Sequence, residues 1–237
     1  MVSMKAIIKK IIGNKNLGRI DYFLKPEYKK VWGGAFNGQT FRRKIFQQLF
    51  KVNDFELIVE TGSYRGNTTL FMAEQTVPIV TVEYDARIFG YVSTRFLFNS
   101  QIKTFNNDSR PFLKSIALDS TVAKEDVFFY LDAHWDDDLP LAEELQIISS
   151  YWNNWVIMID DFQVPNGTYD YDDYGDGKAL TLEYVEKALP KKDYSAYFPA
   201  VDASEETGFK RGCVVLCNSQ ETVKNLDQCD TLVRWQS

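Results

Sequence analysis

No apolar run in the chain approaches the roughly 20 residues that span a bilayer, which excludes a membrane-spanning helix. The start, M-K-A-I-I-K-K-I-I-G-N-K, is too short and too broken by lysine for a signal-peptide core. Cysteine is scarce. Cys213, Cys217 and Cys229 form no metal-binding or redox motif, and an odd, low number without an export signal points to reduced thiols in a cytoplasmic protein. Histidine is scarcer still: His134 is the only one in 237 residues. Apolar residues are not lacking. At 45% hydrophobic and 15% aromatic, the chain has ample material for one large core, and disorder is excluded.

The net charge of −6 hides an asymmetry. Residues 1–50 carry eleven Lys or Arg against two acids, Asp21 and Glu27. Between Glu125 and Gly177 there are fourteen acids and no Lys or Arg. Such a stretch repels itself unless solvent, the basic segment or a cation offsets it.

The middle of the chain alternates strands and helices. E-L-I-V-E-T (56–61), P-I-V-T-V-E (78–83), Q-I-K-T-F-N (101–106), D-V-F-F-Y-L-D (126–132) and W-V-I-M-I-D-D (155–161) read as strands. They are mostly continuously apolar, as parallel strands covered on both faces are. Helical patterns follow them: 68–74; a helix capped by Asp85 with Ile88, Val92 and Phe96 on one face; one opened by N-D-S-R-P; and one near Pro140 with Leu141, Leu145 and Ile148 in a stripe. A further helix over 179–189, a strand near 193–199 and the strand G-C-V-V-L-C (212–217) complete the pattern. The expected fold is a Rossmann-like doubly wound α/β domain over residues 51–237. A basic helical arm over residues 1–50 precedes it and ends in a helix from Phe41 to Phe50. Ligands in such sheets bind at the carboxyl ends of the strands.

Those ends carry the candidate residues. After the first strand comes E-T-G-S-Y-R-G-N, in which Gly62 and Gly66 allow a tight turn and close approach of a ligand. Glu83 ends the second strand, 21 residues after Gly62, where an acid can accept both ribose hydroxyls of a nucleoside cofactor. Asp108 follows the third, where its carboxylate or the neighbouring backbone could read an adenine amino group, or where it simply caps a helix. Gly62 and Gly66 give G-x-x-x-G and not the G-x-G-x-x-G of dinucleotide sites. Glu60, before the turn, suits the methionine ammonium of S-adenosylmethionine, a group that NAD lacks.

Taken together, E-T-G-S-Y-R-G-N-T-T, V-E at 82–83, N-D-S-R at 107–110 and L-D-A-H-W at 131–135 resemble the motifs of class I S-adenosylmethionine-dependent methyltransferases, over roughly residues 50–220. F-N-G-Q (36–39) and D-D-F-Q-V-P (160–165) make the whole similar to a bacterial branch of that superfamily. The resemblance implies a seven-stranded sheet whose last strand, G-C-V-V-L-C, is antiparallel. It implies Glu60, Gly62 and Gly66 around the methionine moiety, Glu83 on the ribose and Asp108 near the adenine. By the same motifs the cofactor contacts take in Thr61, Ser63, Tyr64, Asn67, Thr68, Ser109 and Asp132.

The fourth and fifth strands end in Asp132 and in the pair Asp160–Asp161. Neighbouring parallel strands lie about 5 Å apart, so these carboxylates can converge, and a hard cation such as Mg²⁺ or Ca²⁺ would relieve their repulsion. Their spacing also resembles the metal-binding trio of catechol-type O-methyltransferases, which implies a metal at Asp132, Asp160 and Asp161. That type carries a lysine after the strand-four acid, whereas this chain has Trp135 and Asp136, so no lysine base carries over. Hydrogen bonding of the three acids to loop amides is the plainer alternative. With Asp132, His134 is the candidate catalytic residue, as a base near neutral pH, against the reading of a packed loop histidine. Asp136 to Asp138 read as a helix cap.

The loop 162–177 fails as an EF-hand, because Tyr174 takes the fifth ligand position and Thr181 the twelfth. It reads as a substrate-side lid or a plain surface loop, its tyrosines Tyr169, Tyr171 and Tyr174 free to stack on a ring. K-A-I-I-K-K-I-I packs on the acidic core or, as the lesser reading, lies on a membrane surface. No nucleic-acid-reading motif is present. The function expected is methyl transfer from S-adenosylmethionine to the oxygen of a small hydroxylated or sugar-containing acceptor, with divalent-metal assistance. An NAD-linked oxidoreductase and a non-catalytic nucleoside-binding module are the alternatives. Oligomeric state is not legible.

Overall fold

Each central strand is apolar on both sides, and its alternate residues enter two separate cores. Val127, Phe129 and Leu131 face one, Phe128 and Tyr130 the other; Trp155, Ile157 and Ile159 face the first, Val156 and Met158 the second. This is the period-two geometry of a strand covered on both faces. A computed structural model of the chain describes residues 12–124, 126–134, 138–189, 191 and 193–236. Residues 5–11 of the K-A-I-I-K-K-I-I stretch and Trp135, Asp136 and Asp137 lie outside them.

The strands are β1 (Leu57–Thr61), β2 (Ile79–Glu83), β3 (Ile102–Asn106), β4 (Val127–Leu131), β5 (Trp155–Ile159), β6 (Ser195–Pro199), β7 (Val214–Cys217) and β8 (Leu232–Arg234). They form one sheet in the order β3-β2-β1-β4-β5-β7-β6-β8. β1 to β5 are mutually parallel, and β7 runs antiparallel to β5 and β6. The helices are α1 (Asn14–Leu24), α2 (Thr40–Val52), α3 (Asn67–Met72), α4 (Ala86–Arg95), α5 (Ser109–Leu118), α6 (Leu141–Tyr151), α7 (Leu182–Ala188) and α8 (Gln220–Leu226). Phe112, Leu113, Leu145, Ile148 and Val185 of α5 to α7 cover the first face, and Ile45, Phe46, Leu49, Met72, Phe89, Val92, Val223 and Leu226 of α2, α3, α4 and α8 cover the second. The winding is therefore Rossmann-like, with the strand order reversing between β1 and β4, the crevice where such sheets bind ligands. Among the described residues no helix is long and apolar enough to cross a membrane.

Among the described residues eight strands are present where seven were expected. The extra one, β8, adds Leu232, Val233 and Arg234 to the edge beside Pro199, Phe198 and Tyr197 of β6. Three residues with one buried side chain leave no periodicity to read.

The basic N-terminal segment packs on the sheet domain at two places. Along α1 and α4 the backbones touch: a Cβ on Gly18 would lie 1.8 Å from the carbonyl oxygen of Arg87, so only glycine fits there. Arg87 then pairs with Asp21 at 2.6 Å. In α2, Arg42 is 1% exposed and forms an ion pair with Asp160, itself fully buried. The same guanidinium donates to the carbonyl oxygens of Arg211 and, at 2.8 Å, Gly212. Glu206 accepts from the amides of Phe41 and Arg42, both at 3.0 Å, which occupies two of the unpaired donors at the start of α2. Gln39 exchanges two hydrogen bonds with the backbone of Arg211, at 2.8 and 3.0 Å.

Removing one partner of a buried pair strands the other charge at a cost of about 3–5 kcal/mol. Arg42→Ala is expected to destabilise the protein by that amount in urea denaturation, and adding Asp160→Asn to recover part of it. A loss below about 1 kcal/mol would contradict this role.

Candidate active site at the carboxyl edge of the sheet

Glu60 lies in β1 beneath the turn that follows it and is 1% exposed. Its Oε2 accepts the hydroxyls of Thr69 and Thr81 at 2.5 and 2.6 Å, and Oε1 has no hydrogen-bond partner among the described residues. Burial pushes the Glu60 carboxyl up to about 7 against the pull of those hydroxyls.

The turn itself is fastened by backbone. Gly62 and Ser63 donate to the carbonyl of Val82 at 3.0 and 3.1 Å, and Gly66 to that of Ser63 at 2.7 Å. Gly62 has φ +86°, and a Cβ on it would lie 2.1 Å from the carbonyl oxygen of Asp132. The β1 turn and the end of β4 thus touch through a position only glycine can fill. Glu83 closes the arrangement: its two oxygens accept from the amides of Tyr64 (2.9 Å) and Asp85 (2.8 Å). Burial raises this carboxyl too, to about 7, and those two amides oppose it. Asn106 of β3, which the sequence did not mark, donates to the carbonyls of Glu83 and Tyr84 at 2.8 and 3.0 Å.

Several residues expected at the cofactor have side chains committed elsewhere. Asn67 donates to the carbonyl of Val31 at 3.3 Å and accepts from Arg95 at 2.7 Å, while Thr68 accepts from the amide of Phe36 at 3.1 Å. Both fasten the N-terminal segment to the turn. Asp108 caps α5 by accepting the Arg110 amide at 2.8 Å and pairs with the Arg110 guanidinium at 2.6 Å, which holds its carboxyl low. The helix-cap reading is the one realised for its side chain. Thr61 and Ser109 are buried, and their hydroxyls oppose the rise that burial imposes on Glu144. Ser63 is buried, while Tyr64 is 38% exposed in a left-handed backbone (φ 43°).

At the ends of β4 and β5 the structure gathers Asp132, His134 and Asp161, but not Asp160. Asp160 turns inward: besides Arg42, it accepts the hydroxyl of Tyr130 and the amide of Asp161 at 2.8 Å. Its expected place in a metal trio is corrected on that ground, since adjacent strand residues point to opposite faces. His134 is 5% exposed, and its Nε2, with no hydrogen-bond partner, lies 3.9 Å from Asp132 Oδ1 and 3.9 Å from Asp161 Oδ2. A third acid, Asp172 of the 162–177 loop, has Oδ2 at 4.0 Å. Burial opposes the imidazolium, but Asp161, Asp132 and Asp172 outweigh it and raise the His134 pKa. Burial likewise opposes charge on Asp161, yet His134 and Arg211 hold its carboxyl low. At Asp132 burial wins over His134 and raises the carboxyl.

Two arginines were missed. Arg42 offsets Asp160, and Arg211 pairs with Asp161 at 3.0 Å and with Asp172. The available signal was the arginine- and lysine-free acidic stretch, which required counter-charge from elsewhere but could not say from where. The loop is not a free lid of tyrosines either. Tyr169 is 6% exposed, Tyr174 packs on the first core, and Asp172 holds to Asp161 through a backbone bond of 2.9 Å. Asp138 pairs with Arg110 at 2.8 Å.

For Glu60 the sign of the pH effect is fixed. Its folded pKa lies above the unfolded value, so the stability it contributes is lost as pH rises from about 4.5 to about 7. Glu60→Gln is expected to gain stability over wild type at pH 8, by up to about 3 kcal/mol, and little at pH 5. Denaturant midpoints at the two pH values check this; equal differences would contradict it.

No protein-family model and no curated sequence matches the chain. Solved structures do. An O-methyltransferase from Bacillus cereus, solved with SAH, superposes with a TM-score of 0.59 at 13% identity, over 90% of this chain and 96% of that one. The O-methyltransferase TomG from Streptomyces achromogenes, involved in tomaymycin synthesis and solved with SAM, gives 0.53 at 13% identity over 76% and 78%. CalS10, an amino pentose methyltransferase from Micromonospora echinaspora solved with SAM, gives 0.51 at 10% identity over 78% and 94%. With its reversal point between β1 and β4 and its antiparallel β7, the chain has the fold of the class I S-adenosylmethionine-dependent methyltransferases.

Proposed function

We propose that the protein transfers a methyl group from S-adenosylmethionine to the oxygen of a small hydroxylated or sugar-containing acceptor. The observation that carries this reading is the contact between Gly62 and the Asp132 carbonyl. It sets the nucleoside edge, Glu60 to Glu83, directly against the acid and histidine pole at β4 and β5. When bound, S-adenosylmethionine supplies an electrophilic methyl that passes in line to the acceptor oxygen. Glu60 offers an unpartnered oxygen under the turn, suited to the donor's ammonium group, and Glu83, at the end of β2, is the acid suited to the ribose hydroxyls. The G-x-x-x-G turn argues against a dinucleotide.

Asp132 has 30% of its side chain open, and it is the group placed to take the acceptor proton. His134, the other candidate base, has its Nε2 buried and without a hydrogen-bond partner, which makes Asp132 the more open of the two. The buried, unpartnered Nε2 beside two carboxylates fits a divalent cation, held by Asp132, His134 and Asp161. Such an ion would supply the charge that lowers the pKa of the acceptor hydroxyl.

Calorimetry separates the readings. S-adenosylhomocysteine is expected to bind and NADH not to, with Glu83→Ala weakening S-adenosylhomocysteine at least tenfold. Binding of NADH alone would overturn the proposal. Methyl transfer to a catechol or a sugar, reduced about a hundredfold or more in kcat by Asp132→Asn, distinguishes an enzyme from a non-catalytic binding module.

A further inference from the structure

Apolar side chains scattered singly over a surface are ordinary, and only their grouping carries information. On α1 three are grouped. Ile20, Phe23 and Leu24 stand at i, i+3 and i+4, hence on one side of the helix, and Phe23 and Leu24 are each 73% exposed. The opposite side is the one that packs. There Gly18 meets the carbonyl oxygen of Arg87, Asp21 pairs with Arg87, and the Tyr22 ring meets Tyr91 edge-on at 5.4 Å. The two helices run antiparallel, since Gly18 lies against Arg87 and Gly90 against Lys15. The exposed Leu97 and Phe98, just past α4, therefore lie toward the start of α1. Because α4 begins just past Glu83, the Phe23 and Leu24 end of α1 lies at the same edge of the sheet as the candidate active site.

Cations accompany this face with little to offset them. From residue 12 to residue 34 the chain carries Lys15, Arg19, Lys25, Lys29 and Lys30 against Asp21 and Glu27. Asp21 is buried between Arg87 at 2.6 Å and Lys25 at 3.3 Å, which leaves Glu27 as the exposed acid of that stretch. Asp85, at the start of α4, has its Oδ1 on the amides of Arg87 and Ile88, both at 2.8 Å. Arg19, one turn from Phe23, is exposed and bonds to Asn16 at 3.2 Å. Ahead of α1 the sequence K-A-I-I-K-K-I-I has the same mixture of lysine and large aliphatic residues.

We infer that the exposed face of α1, Ile20, Phe23 and Leu24 with the neighbouring cations Arg19 and Lys30, docks the protein on an anionic lipid surface. The mixture of side chains selects the partner. A nucleic acid would take the cations and leave Phe23 and Leu24 in water. A second copy meeting this face with its own would set like charge against like. An anionic membrane takes both kinds: the boundary between headgroups and acyl chains receives the apolar side chains, and the headgroups receive the cations, whose aliphatic stems lie along the interface. The inference goes beyond the proposed methyl transfer and does not depend on it.

The test mixes the full chain with vesicles of phosphatidylcholine alone or with about one-third phosphatidylglycerol, and reads the bound fraction by sedimentation. Expected is at least tenfold tighter binding to the anionic vesicles, weakened at least tenfold between about 0.1 and about 0.5 M salt. The double variants Phe23→Ser with Leu24→Ser, and Arg19→Glu with Lys30→Glu, are each expected to lose at least tenfold in vesicle affinity while keeping the circular dichroism of wild type. No binding to the anionic vesicles, or equal binding to the neutral ones, overturns the inference. So does Phe23→Ser with Leu24→Ser binding within twofold of wild type, the result that a purely electrostatic surface for nucleic acid would give. A concentration-dependent dimer in light scattering that this variant dissolves, without vesicle binding, assigns the face to a second copy and overturns the inference as well. If the serine variant does not fold, the glutamate variant and the salt series decide.

Discussion

Asp160 carries a charge at the buried end of β5, and the Arg42 guanidinium beside it is what makes that charge tolerable. A buried pair contributes little net stability, but it punishes any arrangement in which the two fail to meet. Much of the molecule is organised by that requirement. Helix α2 must lie across the second face of the sheet with its first turn over residues 206–212, where Glu206 and Gln39 complete its hydrogen bonds. The same contact fixes the backbone of Arg211, whose side chain then reaches Asp161 and Asp172. One pair beneath the sheet edge therefore positions the groups on top of it.

The acids divide by the direction in which their side chains point. Asp160 and Asp161 are neighbours in sequence, yet one is sealed against Arg42 and Tyr130 while the other faces His134. This alternation turns a row of acids into two layers with separate partners. The lower layer is sealed inside the fold, and the upper one gathers around His134. The upper layer meets the glycine turn of β1 through Gly62, so that turn and the acidic pole cannot drift apart without breaking a backbone contact.

Most of the sheet was legible in the residues, because both-face burial leaves a local mark. V-F-F-Y-L and W-V-I-M-I are too apolar to be anything but covered strands, and Asp85, at the N-cap of α4, accepts the amides of Arg87 and Ile88 as its spacing predicted. β8 left no such mark, because three residues at a sheet edge carry no period. The candidate site was half legible. Gly62, Glu83 and Asp132 stood out because strand ends in a doubly wound sheet are where ligands bind. Asn67, Thr68 and Asp108 stood in the same motifs, but the motif does not say whether a side chain turns to a ligand or to its own fold.

By itself, then, the sequence determined the parallel strands, the glycine turn and an acid excess that had to be offset. Those features depend on residues close together in the chain, where periodicity and composition act. Only the tertiary structure decided which cations do the offsetting and which carboxylates share a centre. Arg42, Arg211 and Asp172 come from separate segments, and nothing local distinguishes Arg42 from Arg43 beside it. Electrostatic pairing acts through space and buried charges must find partners wherever the chain brings them, so the division of the acids between the Arg42 layer and the His134 cluster was settled by folding.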